Sequence, residues 1–118
     1  MGDGDFEMSC LFCKMSAGEI PVEFVFESSN VFAIKDIAPQ APTHILIIPK
    51  AHHENAAELS VNAPGVLSEM HGAAAKIAAD LNLDGYRSVF NTGASAGQSV
   101  FHAHLHILSG RPFAWPPG

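Results

Sequence analysis

The chain has 118 residues, of which 47% are apolar and 15% are charged, and its formal net charge is −6. This composition excludes an intrinsically disordered chain and predicts one globular domain over residues 1–118. The acidic balance argues against nonspecific nucleic-acid binding, and no apolar stretch approaches the roughly 20 residues of a membrane span. Since no signal-peptide pattern opens the sequence, we expect a cytoplasmic protein. We expect residues 1–9 to be flexible and residues 109–118 to form a C-terminal tail.

The first half of the sequence predicts a short helix followed by three strands. In chain order, these elements are a helix over residues 10–17, a hairpin of strands 22–27 and 31–36, a loop over 37–42 and a buried strand over 44–48. Gly18 and Pro21 stop the helix, and Pro49 ends the last strand. His52 follows in a connection.

The second half begins with the clearest helix of the sequence. Asn62 is its predicted N-cap, Pro64 lies in its first turn, and apolar residues recur at spacings of three and four up to Leu81. A strand over 86–91 and a flexible loop over 91–99 follow. Strands on both sides of one long helix predict an α+β fold with an antiparallel sheet.

The most informative segment is residues 101–108, where three histidines alternate with apolar residues. Successive side chains of a strand point to opposite faces, so we expect His102, His104 and His106 to share one face. The opposite face is expected to be core and carries Phe101, Ala103, Leu105 and Ile107. The alternative is a solvated polar face on which His replaces Ser or Thr, but three aligned imidazoles favour a chemical role.

Strand geometry limits what these histidines can do together. Neighbours on one face lie about 6.6–7 Å apart, and His102 and His106 about 13 Å apart, so a regular strand cannot bring all three to one ion. At least one imidazole therefore has another role. The middle one, His104, is best placed as a nucleophile toward phosphorus, because an imidazole whose Nδ1–H is held by a carbonyl exposes the Nε2 lone pair.

The loop before the histidines is rich in glycine and small residues. Its backbone N–H groups can turn toward an anion, and three side chains add donors, namely Asn91, Gln98 and Ser99. A plain strand connection is the alternative interpretation. Because the loop leads directly into the histidine segment, we favour phosphate binding.

The two cysteines, Cys10 and Cys13, have the C-x₂-C spacing of half a tetrahedral zinc site. So short a span makes a poor structural disulfide, and a reducing compartment favours metal or redox chemistry instead. Two reduced buried thiols are one alternative. A thioredoxin-like redox pair is another, but no βαβ context surrounds it.

Motifs over nearly the whole chain resemble the histidine triad (HIT) family, and its Hint branch in particular. They are residues 36–44 (DIAPQAPTH), 48–52 (IPKAH), 97–101 (GQSVF), 102–108 (HAHLHIL) and 115–118 (WPPG). The resemblance implies a HIT-like fold and a homodimeric purine nucleoside phosphoramidase. Such an enzyme cleaves the P–N bond of adenosine or guanosine 5′-phosphoramidates through a nucleotidyl-histidine intermediate, giving the nucleoside monophosphate and an amine.

The resemblance also implies roles for individual residues. His104 matches the nucleophile, and His106 and His44 match the histidines of the active-site polar network. Asp36 matches the acid that binds the ribose hydroxyls. The remaining substrate contacts are to the phosphate and the leaving group, and they match Asn91 and Ser99, with Gln98 nearby.

The resemblance further implies a structural zinc ion, one per chain, and no organic cofactor. The four ligands in family members with the cysteine pair match Cys10, Cys13, His52 and His102. This pair departs from animal Hint proteins toward the microbial pattern. In the family the tail reaches toward the partner's active site, which implies a substrate contact for Trp115. Ala114 stands where animal Hint proteins often have histidine, so preference among amines is open.

Two other functions remain as alternatives. A dinucleoside polyphosphate hydrolase, as in the Fhit branch, would use the same nucleophile, although the Hint-like tail argues against it. A non-catalytic, zinc-stabilised nucleotide-binding scaffold would have no need of a nucleophile at His104. Cleavage of P–N against P–O–P substrates distinguishes these readings.

Overall fold

The computed structural model describes residues 9–118, and in that range the chain forms three α-helices and five strands. Residues 1–8, most of the stretch expected to be flexible, lie outside the described range. The elements are α1 (Leu11–Ser16), β1 (Phe26–Glu27), β2 (Val31–Lys35), β3 (Thr43–Pro49), α2 (Ala56–Asn62), α3 (Pro64–Asp80), β4 (Arg87–Val89) and β5 (Leu105–Ser109). None of the three helices is long and apolar enough to cross a membrane.

The strands form one sheet in the order β1-β2-β3-β5-β4, and each neighbouring pair is antiparallel. The predicted α+β fold with an antiparallel sheet is therefore confirmed. The central strands β2 and β3 are nearly continuous apolar runs, as expected of strands that are buried on both faces.

The two faces of the sheet have different covers. One face, which we call the helix face, packs against α2 and α3, and its buried strand residues are Val31, Ala33, Ile45, Ile47, Leu105 and Ile107. The opposite face, which we call the site face, packs against α1 through Phe12, and its buried residues include Phe32, Ile34, Leu46 and Ile48. Because side chains alternate along a strand, His44 and His106 fall on the site face.

One helix was not predicted, and its presence corrects the assignment of Asn62. Asn62 is the last residue of α2 and does not cap α3, which begins at Pro64 as expected for its first turn. Asn55 caps α2, because its side-chain oxygen accepts the Glu58 N–H at 2.9 Å while the Glu58 carboxylate accepts the Glu54 N–H at 2.8 Å. This Asn-x-x-Glu spacing resembles a capping box, although the carboxylate reaches the residue before the N-cap, and it is an N-terminal signal that the sequence contains.

The histidine segment is only partly a strand. β5 begins at Leu105, so His102 and His104 precede it, and the N–H of Ala103 donates to the carbonyl of His53 at 2.7 Å instead of joining a ladder. The predicted core face is confirmed for Ala103, Leu105 and Ile107. It is wrong for Phe101, which is 45% exposed because it lies in a bend before the strand. β1 is likewise shorter than predicted.

Candidate active site

A cavity of about 360 Å³, which we call the reactive pocket, opens on the site face of the sheet. Its polar lining combines imidazoles, a carboxylate and the loop before the histidine segment, namely His104, His106, Asp36, Asn91 and Ser99. Its apolar wall comes mainly from α1 and from the β2–β3 loop, namely Leu11, Phe12, Met15 and Ile37. The volume suits a small-molecule ligand.

His104 is held in a single tautomer by the backbone. Its Nδ1–H donates to the carbonyl of His102 at 2.8 Å, so the lone pair lies on Nε2. The residue is only 9% exposed, and burial lowers the pKa of its imidazole, opposed in part by that backbone bond and by the charge of Asp36. The ring is therefore neutral near pH 7 and offers a free Nε2 lone pair.

His44 and His106 form a hydrogen-bonded pair whose direction is also set by the backbone. The N–H of Gln40 donates to His44 Nδ1 at 3.0 Å, so the proton of the neutral His44 ring lies on Nε2. His44 Nε2 then donates to His106 Nδ1 at 2.9 Å. The proton of His106 is consequently on Nε2, which has no hydrogen-bond partner within residues 9–118 and belongs to a side chain that lines the pocket.

The electrostatics of His106 agree with this neutral state. Burial, together with the neighbouring rings of His104 and His44, lowers the pKa of His106 to about 4, although the charge of Asp36 opposes the shift in part. Protonation at Nδ1 would also place that proton against the Nε2–H of His44. His106 therefore acts near pH 7 as a neutral hydrogen-bond donor toward the pocket.

Asp36 lies at the rim of the reactive pocket and turns the chain there. One carboxylate oxygen accepts the N–H of Ala38 at 2.8 Å, and the other lies 3.3 Å from His44 Nε2. The structure thus brings Asp36 to the pocket beside the predicted imidazoles. Its contact with ribose hydroxyls stays a prediction.

The loop before the histidine segment delivers Asn91 and Ser99 to the pocket, as the sequence indicated. Gly97 adopts a φ of +99° and would place a Cβ 3.8 Å from the Asn91 amide nitrogen, so a left-handed backbone carries the loop past that side chain.

Gln98 differs from its predicted role as a donor to substrate. It is only 4% exposed, and its amide oxygen accepts the N–H of Gly93 at 2.8 Å. Its amide nitrogen donates to the carbonyls of Glu54 and Val100 at 2.7 and 3.0 Å. Because backbone groups occupy both ends of the amide, Gln98 holds the loop in place instead of pointing into the pocket.

A second cluster, which we call the metal cluster, contains the four residues with metal-ligand chemistry. The ligand atoms of Cys10, Cys13, His52 and His102 all lie within 4.8 Å of one another. The Nε2–H of His102 donates to the carbonyl of Pro49 at 2.7 Å, so its Nδ1 lone pair faces the cysteines. Burial lowers the pKa of His102 to about 4, which keeps that lone pair available.

The distances within this cluster fit a tetrahedral ion. His52 Nδ1 and His102 Nδ1 are 3.1 Å apart, and the sulfur-to-nitrogen distances are 3.3–3.6 Å. Tetrahedral zinc with ordinary bond lengths separates two nitrogens by ~3.3 Å and a sulfur from a nitrogen by ~3.6 Å. His102 Nδ1 is an acceptor in this cluster, and one cation at its centre would be within bonding distance of both Nδ1 atoms and both sulfurs.

The metal cluster and the reactive pocket meet at Phe12, which lies between the two cysteines in sequence. The edge-on ring of Phe12 lies 5.7 Å from the His102 ring and 5.1 Å from the His104 ring, centroid to centroid. Sequence reasoning did not identify Phe12, Leu11 or Met15 as pocket residues. The apolar side chains of the short helix are the signal that could have found them.

The C-terminal tail lies away from the reactive pocket of its own chain. Trp115 is 84% exposed in the single chain, and its contact with a substrate in a partner's active site stays a prediction. A larger cleft of about 810 Å³ runs between the α3–β4 connection and the tail, and its lining contains neither imidazole nor thiol.

Comparison with known proteins agrees with this arrangement. The HIT domain pattern matches residues 17–113. An uncharacterized HIT-like protein of Synechocystis is 45% identical over 109 residues, which cover 92% of this chain and 96% of the relative. The purine nucleoside phosphoramidase of Escherichia coli is 43% identical over 104 residues, covering 86% of this chain and 87% of the relative.

Solved structures of HIT family proteins have the same fold as this chain. A HIT family hydrolase from Legionella pneumophila superposes with a TM-score of 0.88 at 47% identity, and the match covers 93% of this chain and all of that chain. A HIT family hydrolase from Clostridium thermocellum superposes with a TM-score of 0.87 at 44% identity, covering 92% and 96% of the two chains. The chain belongs to the histidine triad (HIT) family.

Proposed function

We propose that the protein is a hydrolase that cleaves the P–N bond of purine nucleoside 5′-phosphoramidates, giving the nucleoside monophosphate and an amine. The observation that carries the proposal is the state of His104. Its Nδ1–H is bonded to the His102 carbonyl, its ring is neutral, and its Nε2 lone pair belongs to a pocket that also receives a donor from His106. A phosphoramidase and hydrolases among the relatives support the same reaction class.

In the proposed first step, His104 Nε2 attacks phosphorus and the electron pair of the P–N bond goes to the amine nitrogen. The Nε2–H of His106 donates a hydrogen bond to that nitrogen, where negative charge develops. We assign delivery of the proton itself to Ser99, because its side chain lines the pocket and is exposed to exchange with water. Water then attacks the nucleotidyl-His104 intermediate, its proton returns to the Ser99 oxygen, and the nucleoside monophosphate and neutral His104 are released.

The apolar wall of the reactive pocket is the proposed site for the purine. Phe12 and Met15 from α1 and Ile37 from the β2–β3 loop all line the cavity, and the planar base is the part of the substrate that needs an apolar surface. Asp36 at the rim is proposed to accept hydrogen bonds from the ribose hydroxyls. A homodimer, in which Trp115 of one copy approaches the partner's pocket, and a cytoplasmic location complete the proposal.

The metal cluster is proposed to hold one structural zinc ion per chain on Cys10, Cys13, His52 and His102. Zinc bound by four protein ligands supplies stability and no activated water. The residues themselves have two consequences for the reactive pocket. The cysteines fix α1, which carries the apolar wall, and His102 presents the carbonyl that orients His104.

The experiment is a comparison of substrates for one enzyme preparation. We expect release of AMP from an adenosine 5′-alkylphosphoramidate with a kcat/KM at least about ten-fold above that for a diadenosine polyphosphate. The reverse preference would assign the chain to polyphosphate hydrolysis. Binding of AMP without cleavage of either substrate would favour the hypothesis of a non-catalytic nucleotide-binding scaffold.

Two serines of the same loop provide a matched test of proton delivery. Ser99 lines the pocket, whereas Ser95, four positions earlier and also exposed, does not. We expect Ser99→Ala to lower turnover of alkylamine substrates about 10²-fold, as for loss of a general acid, and Ser95→Ala to leave it unchanged. Equal rates for the two variants would remove Ser99 from the mechanism.

A further inference from the structure

We propose that Arg111, in the C-terminal tail, is a positioning residue that holds Gln40 so that the Gln40 N–H keeps the Nε2–H of His106 directed into the reactive pocket. Arg111 is not part of the pocket lining and acts through three intervening groups. The inference rests on the proposed function for its kinetic consequence, but its structural content stands on the contacts alone.

The contacts run through the backbone of one residue. Arg111 Nε donates to the Gln40 carbonyl at 3.0 Å, and the Gln40 N–H donates to His44 Nδ1 at 3.0 Å. Both groups of Gln40 are therefore engaged, one by the tail and one by the imidazole pair. The two groups lie in the peptide planes on either side of one Cα, so with the carbonyl fixed, only the allowed φ and ψ of Gln40 remain to direct the N–H.

The fold brings the tail to Gln40 at a tight turn. Gly110 has a φ of +98°, and a Cβ at this position would lie 2.9 Å from the Pro42 Cβ, so only glycine lets the chain turn so closely against the β2–β3 loop. The base of that loop is closed by the Asp36 N–H, which donates to the His44 carbonyl at 3.0 Å. Arg111, the next residue of the tail, thus meets a loop whose ends are already fixed.

The chemical consequence is a choice between two tautomer patterns. With the Gln40 N–H on His44 Nδ1, the two rings carry their protons on Nε2, and His106 is a donor to the pocket. If the Gln40 N–H is released, His44 can carry its proton on Nδ1 and accept from His106 Nδ1. His106 Nε2 then becomes an acceptor and cannot stabilise charge on the leaving nitrogen.

Asp36 moderates the size of this effect. Its carboxylate lies 3.3 Å from His44 Nε2 and also favours a proton there. Loss of the Arg111 contact therefore weakens the preference instead of inverting it. We expect the ratio of the two tautomer patterns to fall about three- to ten-fold, which is the factor for one hydrogen bond.

The test uses Arg111→Gln, with Arg87→Gln as the matched control. Both arginines lie over the ring of Phe113, at 4.3 and 5.1 Å from its centroid, and Arg87 holds the tail through the Ala114 carbonyl. Arg87 makes no contact with Gln40, so its variant loosens the tail without touching the proposed connection.

The first readout is long-range ¹H–¹⁵N NMR of ¹⁵N-histidine-labelled enzyme, which identifies the protonated nitrogen of each ring. We expect His44 and His106 to be Nε2–H tautomers in the wild type and in Arg87→Gln, and to be mixtures in Arg111→Gln. The second readout is kcat for two amines. We expect Arg111→Gln to lower it by up to about two-fold for an alkylamine leaving group, because at least half of the His106 rings remain donors, and to leave it unchanged for an arylamine.

Unchanged tautomers in Arg111→Gln, or equal changes in the two variants, would overturn the inference. Gly110→Ala, which moves the whole tail off Pro42, is a second variant expected to produce the same tautomer mixture. A wild-type enzyme that cleaves no phosphoramidate would overturn the proposed function only, because the NMR readout does not depend on turnover.

Discussion

The metal cluster and the reactive pocket each receive an imidazole from the same short segment, yet the two imidazoles offer opposite nitrogens. Pro49 accepts the Nε2–H of His102, which leaves Nδ1 for the cysteines. The carbonyl of His102 accepts the Nδ1–H of His104, which leaves Nε2 for the pocket. Different carbonyls accept the ring protons of these two histidines, so His102 offers the nitrogen of the proposed metal ligand and His104 that of the proposed nucleophile.

The two regions also differ in how their free nitrogens are arranged. In the metal cluster, two Nδ1 atoms face each other at 3.1 Å beside sulfur, and these four ligand atoms could hold a cation. In the reactive pocket, donors and acceptors alternate from Gln40 through His44 to His106. The backbone partner of each ring, and not the His-x-His-x-His spacing, therefore sets which ring nitrogen carries the proton.

Removing the proposed nucleophile should separate the functions of the two regions most clearly. We expect His104→Ala to lower turnover by on the order of 10⁴-fold or more while AMP binding and metal content persist, because the metal ligands are untouched. His71→Ala, at an exposed histidine outside both regions, is the control and should retain wild-type turnover. Comparable rates for His104→Ala and the wild type would place the nucleophile elsewhere.

Removing a metal ligand should produce the converse pattern. We expect Cys13→Ser to reduce bound zinc from about one ion per chain to near zero and to lower the free energy of unfolding by at least about 3 kcal/mol. Turnover should survive with a raised KM, because α1 carries part of the pocket wall. Ser16→Ala in the same helix is the control, and zinc content is measured by mass spectrometry of the purified protein. Full zinc content in Cys13→Ser would contradict the ligand assignment.

The proposed role of His106 is to donate a hydrogen bond from Nε2 to the leaving nitrogen. His106→Phe keeps an aromatic ring and removes the Nε2–H. We expect it to lower kcat about 10²–10³-fold for alkylamine leaving groups, as for loss of a hydrogen bond to developing charge, and less for arylamines. An equal loss for both classes of amine would mean that His106 does not contact the leaving nitrogen.

The smallest expected effect is a dependence of stability on pH. The pKa of His106 is lowered from 6.5 to about 4 by burial, so between these values the unfolded chain binds a proton that the folded chain does not. Stability from this group is complete above pH 6.5 and is lost as the pH falls toward 4. Urea unfolding of the wild type and His106→Phe should show the wild type losing on the order of 1 kcal/mol relative to the variant by pH 5. A constant difference between the two proteins would contradict this.

Much of the fold follows from local patterns in the sequence. Runs of β-branched, aromatic and other apolar residues predicted the strands that became β2 and β3, and the periodic apolar residues after Pro64 predicted α3. The helix α2 was missed although its capping residues Asn55 and Glu58 were present. β5 starts later than predicted because Ala103 bonds to His53, which is distant in sequence.

The sequence predicted which residues meet in the site, but it did not predict how their side chains are oriented. The residues that meet in the reactive pocket include His104, His106, Asp36 and Ser99, all of which the resemblance had indicated. The occupied nitrogen of each ring depends on carbonyls and N–H groups contributed by other parts of the chain, which no motif specifies. Gln98 shows the same limit, because its partner Glu54 lies 44 positions away. The role of Trp115 stays a prediction for the assembled protein.

The most direct test of His104 as the nucleophile is to locate the covalent intermediate. The wild-type enzyme is mixed with an adenosine 5′-phosphoramidate, quenched within one turnover under conditions that preserve P–N bonds, and digested for peptide mass spectrometry. We expect one adenylyl group on His104 and none on His102 or His106. An adenylyl group on another residue, or steady turnover with no adduct on His104 at any quench time, would contradict the claim that the backbone bond of this ring makes it the nucleophile.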